Sequence, residues 1–352
     1  MADGEHKSRA PGSRRRLLIL AEGYSADPHY GKTMRGVMRY GRDDVVAILD
    51  SCRAGETEGG IPVVADVDAA LRFGPTVALV GVVTQGGRFP PAWRELLKAC
   101  IERGLPIENG LHEFISEDPE LLDLAARVGV ELRDLRRAPA GLDCPTGANF
   151  EVPAHIVLTV GSDCAIGKMT VALELDRAAR ARGLASQFVP TGQTGIAIAG
   201  WGISVDAVVA DFLAGAAERL VVEGHERGGE LLFVEGQGSL SHPAYSGVTL
   251  GLMHGSAPHA LVLCHFEGST EIEGYPGHPL LPIQELVELH ERISLPRRRA
   301  PVACVALNTS GLAGDGAARA AIARAEAETG LVADDPVRFG PERLLDAVLE
   351  HR

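Results

Sequence analysis

A chain of 352 residues, 45% hydrophobic and 23% charged, can build its own core without staples and has room for two domains or one large one. Its formal net charge of −13 argues against a nucleic-acid partner, which demands a basic face. No apolar run reaches membrane-spanning length, and six scattered cysteines without a C-x-x-C pair support neither a zinc site nor a disulfide frame; reduced thiols in a cytoplasm fit best.

Residues 1–13 read as a disordered tail. Arg14-Arg15-Arg16 ahead of an apolar run mimics a secretion signal, but the run is too short and Glu22 ends it. The run, 17–21, reads instead as a buried parallel strand. A helix with inward Met34, Val37 and Met38 follows over 33–40, then a strand over 45–49 and a short helix over 66–71. A strand is expected over 77–80 and a helix from Pro91 to Arg103, with the proline at its favoured early position. Leu105-Pro106-Ile107 starts another strand, and a helix over 118–128 has Asp118 as its cap before Pro119. Strands alternating with helices imply a parallel α/β sheet with right-handed crossovers.

Two glycine stretches in this half invite a ligand reading. Gly31-Lys32-Thr33 resembles the end of a phosphate loop, but the interval back to Gly23 is too long and holds Pro28, which marks it as a decoy. Gly81 to Gly87, and Asn109-Gly110 with Leu111-His112-Glu113, sit at strand ends, where ligand contact and plain turn chemistry are equally good readings. A linker at 136–141 divides the chain into a first domain, 14–140, and a second, 141–352.

The second domain opens on its richest stretch. An apolar strand over 154–160 runs into Gly161-Ser162-Asp163-Cys164-Ala165-Ile166-Gly167-Lys168-Met169-Thr170, and a helix over 169–181 leads out. Strand, glycine-bounded loop, lysine and helix are the parts of a phosphate cradle: loop N–H groups and the helix N-terminus point at the anion, and the lysine adds charge. The loop is one residue longer than the commonest form, and Met169 stands where a hydroxyl is usual, so Thr170 is the nearest hydroxyl for a magnesium ion.

A strand over 186–190 ends in Thr191-Gly192-Gln193-Thr194-Gly195, a loop with Gln193 and Thr194 placed for a substrate. A helix is expected over 206–220, where Asp206 and Asp211 either meet a metal or amine or are solvated first-turn acids. The buried strand 231–234 runs into Glu235, Gly236, Gln237, Gly238, Ser239, Leu240, Ser241, His242 and, three residues on, Tyr245. A carboxylate at the tip of an apolar strand beside a phosphate loop is where a magnesium-bound water or an amine would be held. The glycines leave N–H groups for an oxyanion, and Ser239 and Ser241 suit a small polar substrate. A strand over 260–264 ends in His265; Gly274-Tyr275-Pro276 is loop; a helix spans 283–293. A strand over 301–307 ends in Asn308, either a purine reader or a turn residue. Helices over 317–329 and 341–349 close the chain.

These strings carry a resemblance. The long loop at 161–170, Val234-Glu235-Gly236 and Leu307-Asn308 are similar to dethiobiotin synthetase and related P-loop proteins, although those have threonine directly after the lysine. More of the chain resembles a two-domain family long catalogued as of unknown function, which includes a described D-glutamate N-acetyltransferase. The matching strings are 161–170, 191–202, 234–255 and Asp335-Pro336-Val337-Arg338, with 86–93 and 109–112 in the first half. The resemblance implies an α/β protein with a Rossmann-like parallel-sheet domain followed by a P-loop NTPase-like parallel-sheet domain. It implies acetyl transfer from acetyl-CoA to the amine of D-glutamate or a similar D-amino acid; a cytoplasmic homo-oligomer is expected, with neither nucleic acid nor membrane as partner. Residues 161–170 and Asn308 would then bind the coenzyme, Glu235 or His242 would take the amine proton with Tyr245 nearby, N–H groups at 236–239 would hold the oxyanion, and Arg338 would grip a substrate carboxylate. The synthetase-like alternative is ATP-dependent carboxylate activation, with Thr170 and Glu235 on magnesium and Lys168 on the phosphates. A nucleotide-binding regulator without catalysis is the third reading.

Overall fold

The computed structural model describes residues 14–352, so the tail expected over 1–13 lies outside it. The chain divides into two compact units, one ending at Arg136 and the other beginning at Arg137.

In the first unit the strands are β1 (Arg16–Leu20), β2 (Asp44–Leu49), β3 (Thr57–Glu58), β4 (Ile61–Val64), β5 (Val77–Val80), β6 (Ile107–Asn109) and β7 (Leu132–Asp134). They lie in the order β3-β4-β2-β1-β5-β6-β7, parallel except for the β3–β4 hairpin. Helices α1 (Lys32–Tyr40), α2 (Val67–Leu71), α3 (Trp93–Glu102) and α4 (Pro119–Val128) make the crossovers. Asp66 and Asp118 cap α2 and α4 through their carboxylates, as their side-chain chemistry favours. The sequence reading missed β3, β4 and β7, which are too short to show a period. The hairpin did leave a signal, Gly59-Gly60, both at positive φ, between its strands. The helix expected from Pro91 starts at Trp93, because residues 91–92 form a turn.

The second unit is a fully parallel sheet of β8 (His155–Gly161), β9 (Ser186–Val189), β10 (Leu231–Val234), β11 (Ala260–Phe266), β12 (Val302–Asn308) and β13 (Val332–Asp334), in the order β13-β12-β11-β8-β10-β9. Its helices are α5 (Lys168–Ala181), α6 (Gln193–Ala199), α7 (Ala210–Glu226), α8 (Ser246–Ser256), α9 (Ile283–Ile293), α10 (Gly314–Thr329) and α11 (Glu342–Leu349). Ile156, Leu158, Val160, Leu232, Val234, Leu261, Leu263, Val305 and Leu307 are buried in one core, as continuous apolar strands covered on both faces require. Parallel pairing puts the carboxyl ends of β8, β10 and β9 side by side: Leu158 is level with Val234, and Val234 with Val189. The site below is built on that edge.

Three readings of this unit are corrected. The helix expected over 206–220 is a single tight turn, Val205–Ala207, followed by α7 after a break. His265 lies inside β11 rather than beyond its end. Residues 193–199 and 246–256, read as loop or left unassigned, are helices α6 and α8. Their internal glycines hide them, since glycine is a poor helix former. In α8 those glycines allow close approach to α7: a Cβ at Gly251 would collide with Leu213, and one at Gly255 with the Ala214 carbonyl. Among the described residues, no helix is long and apolar enough to cross a membrane.

The opposite edge of this sheet carries a pH prediction. The rings of His155 and His259 stack with centroids 4.9 Å apart, and His259 Nδ1 accepts the Ile156 N–H at 3.0 Å. Burial pushes both imidazoles, and that of His290, from 6.5 down to about 4. The fold therefore holds them neutral while the unfolded chain protonates them first. Stability should be fully present above about pH 6.5 and fall progressively toward pH 4. Thermal melts at intervals across this range check it; a Tm that stays level from pH 7 to pH 4 contradicts it.

Candidate active site: a phosphate cradle beside a buried carboxylate

β8 is buried along its length and ends at Gly161, where a Cβ would lie 2.7 Å from Ile166 Cδ1 and 3.2 Å from the Cys264 carbonyl oxygen. The loop then turns through Ala165 at φ +53° and Gly167 at φ +112°. A left-handed alanine is strained, and here it turns successive N–H groups to one side. Among the described residues, no acceptor takes the N–H groups of Ile166, Gly167, Lys168, Met169 or Thr170. Those N–H groups, three of them in the first turn of α5, are donors at the positive end of a helix, an arrangement that can hold an anion.

Lys168 is 6% exposed, and its Nζ donates to the Asp163 carbonyl at 2.5 Å. Burial lowers the ammonium's pKa, opposed by Cys164, Cys264, Asp163 and Glu235. Lys32, at the start of α1, is by contrast exposed, and the loop before it is closed by Asp27 accepting the His29 and Tyr30 N–H groups. The other glycine stretches of the first unit serve packing and turns. A Cβ at Gly81 would strike Ile19, one at Gly87 would strike His112, and the Asn109 amide donates to Asp134 and to the Glu113 carbonyl.

The cradle is fastened from several strands. Ser162 N–H donates to the Cys264 carbonyl at 3.0 Å, and Ser162 Oγ meets His265 Nδ1 at 2.9 Å. Ser239 Oγ lies 3.1 Å from Ser241 Oγ and donates to the Ser162 carbonyl at 3.0 Å. The Asn308 amide donates to the Ile166 carbonyl at 3.2 Å and accepts the Ser310 N–H at 3.1 Å. Ser239 and Asn308, expected to touch ligand, thus hold the loop in shape. Arg338 is similarly placed away from its expected role: its guanidinium donates to Thr309 and the Leu312 carbonyl and pairs with Asp315 at 3.1 Å.

Glu235 follows β10 directly and is 6% exposed. Its Oε2 accepts the N–H groups of Thr191 at 2.9 Å and Gly192 at 3.1 Å. Burial pushes its carboxyl from 4.5 up to about 7, with Asp206 adding to the rise and the two N–H groups and Lys168 opposing it. α6 packs so closely here that a Cβ at Gly195 would collide with Oε2. Gln193 and Thr194 therefore occupy the first turn of a helix, with Thr194 buried, rather than a loop open to substrate. Gly236 is also used up: its N–H donates to Thr159 Oγ1 at 2.9 Å, so it is not an oxyanion donor.

His242 is 3% exposed, and its Nδ1 accepts the Ala244 N–H at 3.1 Å. The neutral ring therefore carries its proton on Nε2, 4.0 Å from Asp163 Oδ1. That makes it a donor rather than a base. Donor atoms of Asp163, Cys164 and His242 lie within 4.8 Å of one another. The Tyr245 ring lies tilted against His242 with centroids 4.7 Å apart, and Tyr275 meets it edge-on at 5.1 Å. The sequence reading missed Tyr275; no local pattern brings residues from after β11 to those after β10.

Residues 143–345 match the model of the P-loop domain of a domain of unknown function, DUF1611, and residues 49–138 match its Rossmann-like N-terminal domain. The chain belongs to the DUF1611 family. The crystal structure of a DUF1611 family protein from Anabaena variabilis superposes with a TM-score of 0.89 at 40% identity, covering 96% of this chain and 100% of that one. A curated relative from Tritonibacter scottomollicae, named D-glutamate N-acetyltransferase, is 37% identical over 80% of this chain and 84% of its own. A second of the same name, from a Pseudoalteromonas species, is 36% identical over 69% and 72%. The resemblance read from the sequence strings is thus the right one. The match to the DUF1611 P-loop domain takes in the cradle, Glu235, His242 and Tyr275 together.

Proposed function

We propose that this DUF1611 protein is an amino-acid N-acetyltransferase that moves acetyl from acetyl-CoA to the amine of D-glutamate or a similar D-amino acid. One observation carries the reading: a buried carboxyl, raised to about 7, stands at a strand tip beside an N–H-lined anion cradle. An acceptor amine must lose a proton to become a nucleophile, and a base titrating near neutrality is matched to that task. Glu235 takes the proton. The cradle and Lys168 hold the pyrophosphate of the coenzyme, and His242 Nε2–H is a donor for developing negative charge. The names of the two curated relatives support the reaction class and the acceptor. Met169 in place of a hydroxyl after the lysine favours a pyrophosphate held without magnesium over a magnesium–ATP site.

A thiol-release assay over a panel of D- and L-amino acids tests this. Free thiol from acetyl-CoA is expected without ATP, fastest with D-glutamate. Absence of thiol with every amine, together with ADP or AMP formation from ATP and a carboxylate, would move the protein to the ligase class.

A further inference from the structure

The 267–282 segment between β11 and α9 is not a plain loop. It doubles back on itself, with Glu271 bridged antiparallel to Pro279, Ile272 N–H on the His278 carbonyl at 2.9 Å and Leu280 N–H on the Thr270 carbonyl at 3.0 Å. Its tip is pinned to the cradle, because Glu273 N–H donates to Asp163 Oδ2 at 2.7 Å. The second unit has two tyrosines, Tyr245 and Tyr275, and this arrangement brings both to His242. His278 extends the series, edge-on to Tyr275 with centroids 5.8 Å apart. A forked ladder of rings therefore starts at a buried histidine beside the phosphate loop and runs outward on one side to exposed Tyr245 and on the other through half-buried Tyr275 to exposed His278. Neither tyrosine hydroxyl bonds to another described residue, so hydrogen bonding within the unit does not account for their placement.

We propose that this ladder seats the adenine base of the phosphate-bearing ligand, making cradle and rings one site for an adenine nucleotide moiety. Aromatic faces stack on any nucleobase, and a ring series that begins at the anion site is placed to take a base linked to the diphosphate. Asn308, the residue that the sequence offers for reading a purine, already donates one amide N–H to the Ile166 carbonyl and accepts the Ser310 N–H. The moiety is shared by coenzyme A and ATP, and the inference rests only on the cradle part of the proposed function.

Calorimetry on the full chain with inorganic pyrophosphate, ADP and acetyl-CoA tests it. ADP should bind at least roughly tenfold tighter than pyrophosphate, the margin expected of one stacked base. In Tyr275→Ala, and to a lesser degree Tyr245→Ala, ADP and acetyl-CoA should lose that margin together while pyrophosphate affinity is unchanged; Tyr275→Phe should keep it. Unchanged pyrophosphate binding also shows that each variant is folded at the site. An equal affinity of the wild-type chain for ADP and pyrophosphate, or a margin that survives Tyr275→Ala, overturns the assignment. So does a Tyr275→Ala variant whose KM for the amino acid rises while its ADP affinity holds, which would give the rings to the acceptor ammonium. An intact ADP margin in a wild-type chain that releases no thiol from acetyl-CoA would sink the acetyl-transfer reading and leave the base site standing.

Discussion

Replacing Lys168 by alanine is expected to weaken binding of acetyl-CoA by on the order of a hundredfold or more while the chain stays folded. Its ammonium is the charge placed at the open N–H groups of the cradle, and the nearest part of the loop it now touches is the Asp163 carbonyl. Phosphate oxygens would compete for that proton donor, and a charge-assisted bond in a buried site is worth far more than one at the surface. Stability should change little, because holding a buried ammonium is itself unfavourable and the lowered pKa of Lys168 records that cost. Lys168→Met, which fills more of the space, separates loss of charge from loss of shape. Lys32→Ala should leave affinity untouched, since Lys32 stands exposed at the start of α1. Calorimetric affinities for Lys168→Ala close to those of wild type would contradict phosphate binding at the cradle.

Glu235→Gln should keep the ligand and lose most turnover, by about a hundredfold or more. The amide oxygen of glutamine still accepts from Thr191 and Gly192, so the strand tip keeps its geometry. What disappears is the ionisation near pH 7. The wild-type carboxyl is protonated and idle below about 7 and becomes the base as pH rises through that value. The wild-type kcat/KM should therefore climb across pH 6–8, and the residual rate of Glu235→Gln should lack that rise. Stability should shift the other way. The folded carboxyl titrates above its unfolded value of 4.5, so its charge opposes folding once pH exceeds 4.5, and the neutral variant should melt no lower than wild type at pH 8. His242→Ala probes the rival. A dead His242→Ala with a fully active Glu235→Gln would transfer the role of base to the imidazole, against the tautomer set by Ala244.

Much of the molecule is determined locally. A continuous apolar run such as 231–234 has no polar face to offer water, so it becomes an interior parallel strand. The phosphate loop is likewise legible locally, because glycines, a lysine and a following helix lie within ten residues, although distant Cys264, Ser239 and Asn308 hold its shape. Glu235 is legible for the same reason, as a carboxylate directly after a buried strand. The rest depends on long-range approach. α6 and α8 are helices in spite of their glycines, which are there so that Glu235 and α7 can come close. Local propensity cannot show a residue chosen for a neighbour far along the chain. The polar residues Ser239 and Asn308 look like ligand contacts in a string and are fastenings of the loop, each donating to one of its carbonyls, while Arg338 bonds Thr309 and the Leu312 carbonyl and pairs with Asp315. Tyr275 reaches His242 only through the doubled-back segment pinned to Asp163. The sequence by itself determined the long apolar strands, the cradle's parts and the carboxylate, since each is set by residues adjacent in the chain, whereas the short strands β3, β4 and β7 left too little pattern to read. Which polar groups remain open to a ligand, and at what pH Glu235 ionises, only the tertiary structure decided, because hydrogen-bond partners and burial come from strands far apart in sequence.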